Sequence, residues 1–280
     1  MGMKVPSSSR IAFQGERGAF SEEAAVKLLG EDIQLVPRTT FEALYTSIQD
    51  GVADYILAPI ENSLAGSVHR SYDLLISSGL HIQAEVVIPI VHNLIGLPGA
   101  TFERIAQVSS HPVALAQCER FFASHPAIKR VAADDTAGSV RDIMEAGDPA
   151  KAAIASSRAA SVYGAIILRE HLEDHPENYT RFLLLTPSAE VPENADKLSL
   201  VLLLAHKPGS LCLALNAFAQ RDLNLLKIES RPIAGTPWRY CFYLDLQASL
   251  KDPNTIAALA DLHQFTDSVK ILGCYPQAKV

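Results

Sequence analysis

An amide, a hydroxyl and a guanidinium occur close together between Asn178 and Phe182, where the sequence reads Asn-Tyr-Thr-Arg-Phe. The polar segment 171–177 precedes them and the apolar run 183–185 follows, which predicts a surface loop leading into a buried strand. A rigid strand can aim such side chains at a bound ligand. The alternative is that Thr180 and Arg181 are ordinary strand-edge residues, since motifs this short are weak signals.

The composition predicts a globular protein of about two domains. The chain has 280 residues, of which 48% are hydrophobic and 20% charged. A net charge of −7 without a basic run argues against nucleic acid as a partner, because phosphates require clustered Lys and Arg. No apolar run reaches the roughly 18 residues that a membrane span needs. The first ten residues lack the apolar segment of a secretory signal, so we expect a cytoplasmic protein.

Neither a metal site nor a redox motif is predicted. The four cysteines form no Cys-x-x-Cys pair. His171 and His175 are one helical turn apart, but the zinc-protease helix requires Glu directly after its first histidine, and Leu172 stands there. A surface loop is the simpler interpretation of this segment.

Strand and helix patterns alternate along the first two thirds of the chain. Strands are predicted at 11–14, 33–36 and 55–58, with helices opening at Ser21 and in a capping box over 39–42. This order indicates βαβ units and a mostly parallel sheet. Ligands bind such sheets at the carboxyl ends of the strands.

That rule selects the loops that follow each predicted strand. The strand 106–109 leads to Ser110 and His111, and Pro112 suits the first position of a helix. The strand 131–133 leads to a loop that contains Thr136. Polar groups from several loops would therefore meet at one edge of the sheet.

Two crossings between lobes divide the predicted catalytic region. The run from His81 to Leu97 is extended, with Pro89 in its middle, and the return lies near Asn178–Leu185. The predicted catalytic domain is 10–187, with lobe one at about 10–88 and 180–187 and lobe two at about 89–179. A linker at 188–197 precedes a β-α-β-β-α-β module at 198–280.

Several separated motifs, taken together, resemble those of prephenate dehydratases. They are Ala-Phe-Gln-Gly at 12–15 with Ala-Phe-Ser-Glu at 19–22, Pro-Ile-Glu-Asn-Ser at 59–63, Ser-His-Pro at 110–112 with Gln117, and 178–182. The C-terminal module resembles an ACT domain. The resemblance covers nearly all the chain after residue 10. It implies an α/β fold: a two-lobed periplasmic-binding-protein-like catalytic domain followed by a ferredoxin-like βαββαβ ACT domain.

The resemblance also implies the reaction, a decarboxylating dehydration of prephenate to phenylpyruvate without a cofactor. Thr180 would donate to the departing hydroxyl, while Asn62 and Gln117 would hold substrate oxygens. The other residues expected to bind substrate are Glu61, Ser63, Ser110, His111, Thr136, Asn178, Arg181 and Phe182.

Some of these roles have structural alternatives. Arg181 could pair with a protein carboxylate, and Glu61 could be such a partner rather than an acid. His111 could be a general acid or could cap the helix that Pro112 begins. Phe182 could belong to the core.

The ACT-like module implies feedback regulation by phenylalanine. Gly209, Ser210 and Leu211 stand where the family usually has Gly-Ala-Leu, and Glu229-Ser230-Arg231-Pro232 resembles its phenylalanine-binding motif. The exposed edge of such a sheet invites pairing with a second copy, so we expect a homodimer or homotetramer.

Two alternative functions remain open. Segments 67–75 and 134–138 are also similar to plant arogenate dehydratases, whose substrate carries an amino group in place of the keto group. The overall motif match favours prephenate as the better substrate. A two-lobed amino-acid sensor without chemistry would share the same architecture, because a fold does not determine function.

Overall fold

The computed structural model describes residues 5–233 and 235–279. These residues form two compact units. The first comprises the chain up to Val68 together with Val86–Phe182, and the second comprises His69–Glu85 together with the chain from Leu183 onward. Within the described ranges, no helix is both long and apolar enough to cross a membrane.

Strands and helices alternate along the described chain. The strands are β1 (Arg10–Gln14), β2 (Gln34–Arg38), β3 (Tyr55–Asn62), β4 (Gly66–Ser67), β5 (His81–Pro89), β6 (Asn93–Gly96), β7 (Gln107–Ser110), β8 (Lys129–Ala132), β9 (Lys151–Ala155), β10 (Ile166–Arg169), β11 (Tyr179–Thr186), β12 (Lys197–Leu204), β13 (Asn224–Pro232), β14 (Tyr240–Gln247) and β15 (Thr266–Tyr275). The helices are α1 (Phe20–Leu29), α2 (Phe41–Thr46), α3 (His69–Ser78), α4 (Pro112–Ala116), α5 (Glu119–Ser124), α6 (Thr136–Ala146), α7 (Ser157–Tyr163), α8 (Ser210–Ala219) and α9 (Pro253–Leu262).

The first lobe is built on a sheet with the strand order β2-β1-β3-β11-β5. Strand β1 pairs in parallel with β2 and β3, as the βαβ pattern predicts. The central strands carry fully buried side chains such as Ile11, Phe13 and Leu57, because both faces of the sheet are covered. The strands β5 and β11 each contain residues of both compact units.

The second lobe has a sheet of order β10-β6-β9-β7-β8. Strands β7, β8 and β9 are parallel, whereas β6 pairs antiparallel with both β9 and β10. The sequence did not predict β10 or this antiparallel edge. Leu94, Val108 and Ile154 form its core with Phe121 and Phe122.

The N-terminal capping residues mark where three of the helices begin. Pro112 begins α4 as predicted, and Nδ1 of His111 accepts the backbone N–H of Val113 at 3.2 Å. The helix predicted to open at Ser21 begins one residue earlier, because α1 starts at Phe20 with Ala19 as its N-cap. Thr40, within the predicted capping box, caps α2, which ends at Thr46.

The second unit contains the predicted βαββαβ module. Its sheet has the order β13-β14-β12-β15, and Leu200 of β12 lies opposite Leu244 and Ile271. Helices α8 and α9 supply Phe218 and Leu262 to the core on this sheet. The predicted α/β fold class is confirmed: two lobes, each built on its own sheet, are followed by a ferredoxin-like βαββαβ module.

Helix α3 groups with this module, although the sequence analysis assigned it to lobe one. Arg231 donates two hydrogen bonds to the Asp73 carboxylate, at 3.0 and 2.8 Å. The Tyr243 hydroxyl donates to the carbonyl of Tyr72 at 2.6 Å. These contacts join residues more than 150 positions apart, so no local sequence pattern reveals them.

A buried ion pair joins β5 to β12 in the same unit. Nζ of Lys197 lies 3.1 and 2.9 Å from the two carboxylate oxygens of Glu85. Both side chains are at least 95% buried, and Asp245 lies 3.7 Å from the same ammonium. Removing one partner of such a pair leaves an uncompensated buried charge.

We therefore expect Lys197→Met to lower the free energy of unfolding by about 3–5 kcal/mol, measured by urea unfolding. The matched control is Arg239→Met, which removes a half-exposed pair with Asp267 and should cost at most about 1 kcal/mol. Equal losses of unfolding free energy in the two variants would show that the Lys197 pair stabilises the fold no more than a surface ion pair does.

Candidate active site

A cleft of about 310 Å³ lies within the first unit. Asn62 at the end of β3 and Thr180 at the start of β11 line it from the first lobe. His92, which follows β5, and Gln117, at the end of α4, also line it. Sheet topology therefore collects side chains that are distant in sequence.

The Asn62 carboxamide is the organising group of this cleft. Its Nδ2 donates to Oδ1 of Asn178 at 2.7 Å, to the carbonyl of Tyr179 at 3.1 Å and to Oγ1 of Thr180 at 2.9 Å. Its Oδ1 accepts the backbone N–H groups of the next turn, at 3.0 Å from residue 64 and 2.7 Å from residue 65. Asn62 thus fixes the end of β3 to the start of β11.

The hydrogen-bond chain continues into the second lobe. Nδ2 of Asn178 donates to Oε1 of Gln117 at 3.0 Å. The same Oε1 lies 2.8 Å from Nε2 of His92. The structure therefore brings Thr180, Asn62 and Gln117, the predicted catalytic residues, into one network with Asn178.

His92 is a site residue that the sequence analysis missed. Its ring is only 2% exposed and packs edge-on against Phe20, with 5.8 Å between ring centroids. Burial lowers the pKa of His92, and the hydrogen bond to Gln117 and the charge of Glu173 only partly oppose this effect. One usable signal was present: a histidine lies within the predicted lobe crossing at 81–97.

Two of the longer helices begin at the cleft. The first turn of α1 lines it, as does Thr136 at the start of α6. The unpaired N–H groups of a helix N-terminus favour carboxylates. Asp135 takes one of these donors, because its carboxylate caps α6 through the N–H of Gly138 at 2.7 Å.

Carboxylates, and no cation, line the cleft among the residues that the structure describes. Asp134 and Asp135 are those acidic residues. Carboxylate groups of a ligand would thus be held by N–H and O–H donors rather than by Lys or Arg. An ammonium group on a ligand would find a favourable potential near the acidic pair.

Several predicted binding residues lie outside the lining of the cleft. The Ser110 hydroxyl is fully buried and donates to the carbonyl of Ile154 at 2.7 Å. Ser63 instead joins two loops, since its hydroxyl donates to the carbonyl of Glu177 at 2.8 Å and accepts the N–H of Tyr179 at 2.9 Å. Both serines therefore make structural contacts within the protein rather than direct contacts with a ligand.

Glu61 and Arg181 form an ion pair, with 3.3 Å between oxygen and nitrogen, and neither lines the cleft. This pairing is the alternative that the sequence left open for both residues. His111 and Phe182 do line the cleft. His111 also caps α4, and Phe182 is 98% buried, so each serves the fold as well.

A loop of the first lobe docks on α7 of the second. The Ser156 hydroxyl donates to the carbonyl of Gly18 at 2.8 Å. Gly18 has φ +83°, and a Cβ there would lie 2.7 Å from Cα of Ala159. Glycine is therefore required at this position for both conformation and space.

The Glu22 carboxylate fastens the same contact. It accepts from Arg17 at 2.7 Å, from the N–H of Gly18 at 3.1 Å and from Arg158 of α7 at 2.7 Å. Burial alone would raise the pKa of Glu22, but these three donors outweigh it and hold the pKa below its usual value. The charge is thus fully compensated although the side chain is buried.

Within residues 5–233 and 235–279, no three His, Cys, Asp or Glu side chains are grouped as metal ligands. Nδ1 of His171 contacts the Glu173 carboxylate at 2.9 Å.

Comparison with known proteins decides the family. The model of the family described as prephenate dehydratase matches residues 11–190. The chain belongs to the prephenate dehydratase family.

Relatives of known sequence and structure agree with this assignment. The chain is 42% identical over 286 residues to arogenate dehydratase/prephenate dehydratase 1 of Arabidopsis thaliana, covering 96% of this chain and 72% of the relative. The prephenate dehydratase of Arthrobacter aurescens, solved in complex with L-Phe, superposes with a TM-score of 0.87 at 33% identity over 96% of this chain and 90% of that one. GqqA, described as a novel type of quorum quenching acylase, superposes equally well, with a TM-score of 0.87 at 32% identity over 95% and 97% of the two chains.

The two motifs predicted to bind an effector lie in the second unit. Gly209, with φ +84°, caps α8, and residues 209–211 line a cavity of about 390 Å³ together with Trp238 and Tyr240. Arg231 and Pro232 line a different cavity, and Arg231 is paired with Asp73. Glu229 lies 3.4 Å from His69, while Ser230 is exposed. One chain alone does not bring the two motifs into one pocket.

The buried Glu22 carboxylate yields a pH prediction. Its folded pKa lies below the unfolded value of about 4.3, so its stabilisation is complete above that value and is lost as the pH falls through the folded pKa. We expect the free energy of unfolding of Glu22→Gln to change less than that of wild type between about pH 5 and about pH 3. Urea unfolding at a series of pH values measures this, with exposed Glu145→Gln as the control. Parallel profiles for wild type and Glu22→Gln would contradict it.

Proposed function

We propose that this protein is a prephenate dehydratase, a carbon–oxygen lyase that converts prephenate to phenylpyruvate on the route to L-phenylalanine. The observation that carries the proposal is the Thr180 hydroxyl, oriented by Asn62 on the cleft wall of a chain of this family. A cytoplasmic location is part of the proposal, and the free state of all four cysteines suits a reducing compartment.

The reaction needs an oriented donor rather than a strong acid. The bond between the ring and its carboxylate breaks, and that electron pair enters the ring as carbon dioxide leaves. The carbon–oxygen bond at the opposite ring carbon then breaks with its own electron pair, and the departing hydroxide takes up a proton to become water. The ring becomes aromatic without net oxidation, so the electron count requires no redox cofactor.

Thr180 is the group best placed to donate to that departing oxygen. Its Oγ1 accepts a hydrogen bond from Nδ2 of Asn62 at 2.9 Å. The hydroxyl hydrogen has no acceptor among the described residues and is free to point into the cleft. A preorganised donor of this kind stabilises charge as it develops on the leaving group.

Neutral donors hold the two substrate carboxylates in this proposal. Oε1 of Gln117 is already occupied, so its Nε2 is the end that can reach a ligand. The first turns of α1 and α6 and the hydroxyl of Thr136 add further donors. Asn62 acts by positioning Thr180, because both ends of its carboxamide are engaged with protein atoms.

Arogenate is the second candidate substrate, and two observations favour it. The Arabidopsis relative is named for both dehydratase activities. Asp134 lines the cleft and would attract the ammonium group that arogenate carries in place of the keto oxygen. A binding protein without chemistry is the remaining alternative, and absence of turnover would favour it.

Phenylalanine is the proposed effector, because the Arthrobacter relative was solved with L-Phe bound. The two effector motifs occupy different cavities within one chain. A pocket containing both therefore requires a second copy, which supports a homodimer or homotetramer. Leu226 and Ile228 on edge strand β13 are 36% and 42% exposed and offer an apolar pairing edge.

Thr180→Ala should lose at least about 100-fold in kcat on prephenate while the fold persists, because one oriented donor is removed. Thr180→Ser should retain much more activity, since the hydroxyl remains. The control is Thr186→Ala on the same strand, with phenylpyruvate absorbance as the assay. Equal turnover of Thr180→Ala and wild type would reduce Thr180 to a strand-edge residue.

The ratio of kcat/KM for prephenate and arogenate decides the substrate. The motif match predicts prephenate as the better substrate, and a preference of about tenfold or more for arogenate would overturn that order. Asp134→Asn should raise kcat/KM for prephenate relative to arogenate, because it removes a negative charge that repels the more anionic substrate. Asp142→Asn, an exposed change on α6, is the control. Incubating the protein with an acyl substrate and measuring its hydrolysis tests for the acylase activity that the description of GqqA names.

Calorimetry on the intact protein should detect L-phenylalanine binding, and phenylalanine should weaken substrate binding by about 5-fold or more. Arg231→Met should blunt this inhibition, because it releases α3 from the Arg231–Asp73 pair. Arg221→Met, which breaks an ion pair with Asp261, is the control. Point variants are the right test because α3 packs on the module that a truncation would remove. Absence of phenylalanine binding would contradict the proposal and direct attention to Ser210.

A further inference from the structure

An unbroken chain of hydrogen bonds connects the backbone after β3 to His92. Its first donors are the N–H groups of Leu64 and Ala65, and a backbone N–H can only donate. The atom of Asn62 that meets them must therefore be Oδ1. Its other end, Nδ2, faces the carbonyl oxygen of Tyr179, which can only accept. The orientation of this carboxamide is thus fixed from both sides.

Each later link inherits its direction from Asn62. Since Nδ2 of Asn62 donates, the atom of Asn178 at 2.7 Å must be Oδ1, and its Nδ2 must donate onward. The acceptor of that bond, at 3.0 Å, must be Oε1 of Gln117. The ring nitrogen of His92 that lies 2.8 Å from the same oxygen must then carry a hydrogen.

We propose that His92 is a positioning residue for the reaction: as the Nε2–H tautomer it fixes the Gln117 carboxamide with both N–H bonds of Nε2 available to the cleft. This inference rests on the proposed function, since it assigns to Gln117 the binding of a substrate oxygen. His92 itself need not touch the substrate.

The surroundings of the ring support this role. His92 is 98% buried, and its Nδ1 has no hydrogen-bond partner among the described residues. Its backbone is held on both sides, because its N–H donates to Glu173 at 2.8 Å and its carbonyl accepts from Leu172 at 2.8 Å. The ring edge contact with Phe20 limits rotation. Burial, the largest effect on the pKa of His92, disfavours the imidazolium.

The opposite tautomer would break the network. A bare Nε2 would place its lone pair against the lone pairs of Oε1 of Gln117. Rotating the Gln117 carboxamide to relieve this repulsion would direct its N–H groups at the donor Nδ2 of Asn178. His92 therefore selects one of the two orientations of the Gln117 side chain, and the selected orientation presents donors to an anionic substrate.

Four variants of the full-length protein test this role: His92→Phe, His92→Gln, Gln117→Leu and the double variant His92→Phe/Gln117→Leu. Phenylalanine keeps the ring packing and removes the donor, whereas glutamine places an N–H near the position of Nε2. We expect His92→Phe to lose up to about 100-fold in kcat/KM for prephenate at an unchanged melting temperature. His92→Gln should recover most of this loss.

The double variant separates positioning from packing. If His92 acts through Gln117, adding His92→Phe to Gln117→Leu should change kcat/KM by less than about twofold. A full additional loss in that background, or an active His92→Phe enzyme, would overturn the proposal.

Nitrogen-15 spectra of the substrate-free wild type test the tautomer without any activity assay. We expect Nε2 to be protonated and Nδ1 to be bare near neutral pH. A protonated Nδ1 would overturn the proposal even if His92→Phe failed to fold. Absence of turnover in the wild type would refute the proposed function, and the spectrum would still decide the state of His92.

Discussion

The Asn62 carboxamide is the interaction on which the cleft depends. It stands at the end of β3 and binds the first residues of β11, so it joins two strands that are far apart in sequence. The backbone N–H groups of Leu64 and Ala65 fix its direction. Every donor that faces the cleft along this network takes its orientation from those two N–H groups, because each amide can donate only from its nitrogen.

Among the described residues, neutral polar side chains line the cleft together with Asp134 and Asp135, and neither Lys nor Arg does. The one arginine of the Asn178–Phe182 motif is paired with Glu61 outside the cleft. Hydroxyl and amide side chains line the cleft instead, and these neutral groups need no counterion. Buried charges occur instead at positions that hold the fold together, where Glu22 and Lys197 are surrounded by partners.

Helix α3 is held to the C-terminal module within the second unit. It follows shortly after Asn62, and its Asp73 and the carbonyl of Tyr72 accept hydrogen bonds from β13 and β14. Arg231, which belongs to the motif predicted to bind an effector, is one of these donors. A ligand that altered this pairing would change how α3 is held to β13 within the second unit.

The sequence by itself determined the βαβ order of the first lobe, the βαββαβ module and the family resemblance, because hydrophobic periodicity and turn chemistry are local and the motifs are short and contiguous. It also named Thr180, Asn62 and Gln117, whose placement on one cleft the structure shows. Only the tertiary structure decided which polar groups face the cleft and which face the protein. Ser110 and Ser63 bond to backbone atoms, whereas His92, in a segment with no motif, lies on the cleft. The grouping of α3 with the second unit was equally hidden. The physical reason is the same in each case: a hydrogen bond depends on where two distant atoms meet, and that position is set by the packing of sheets rather than by the residues on either side in the chain.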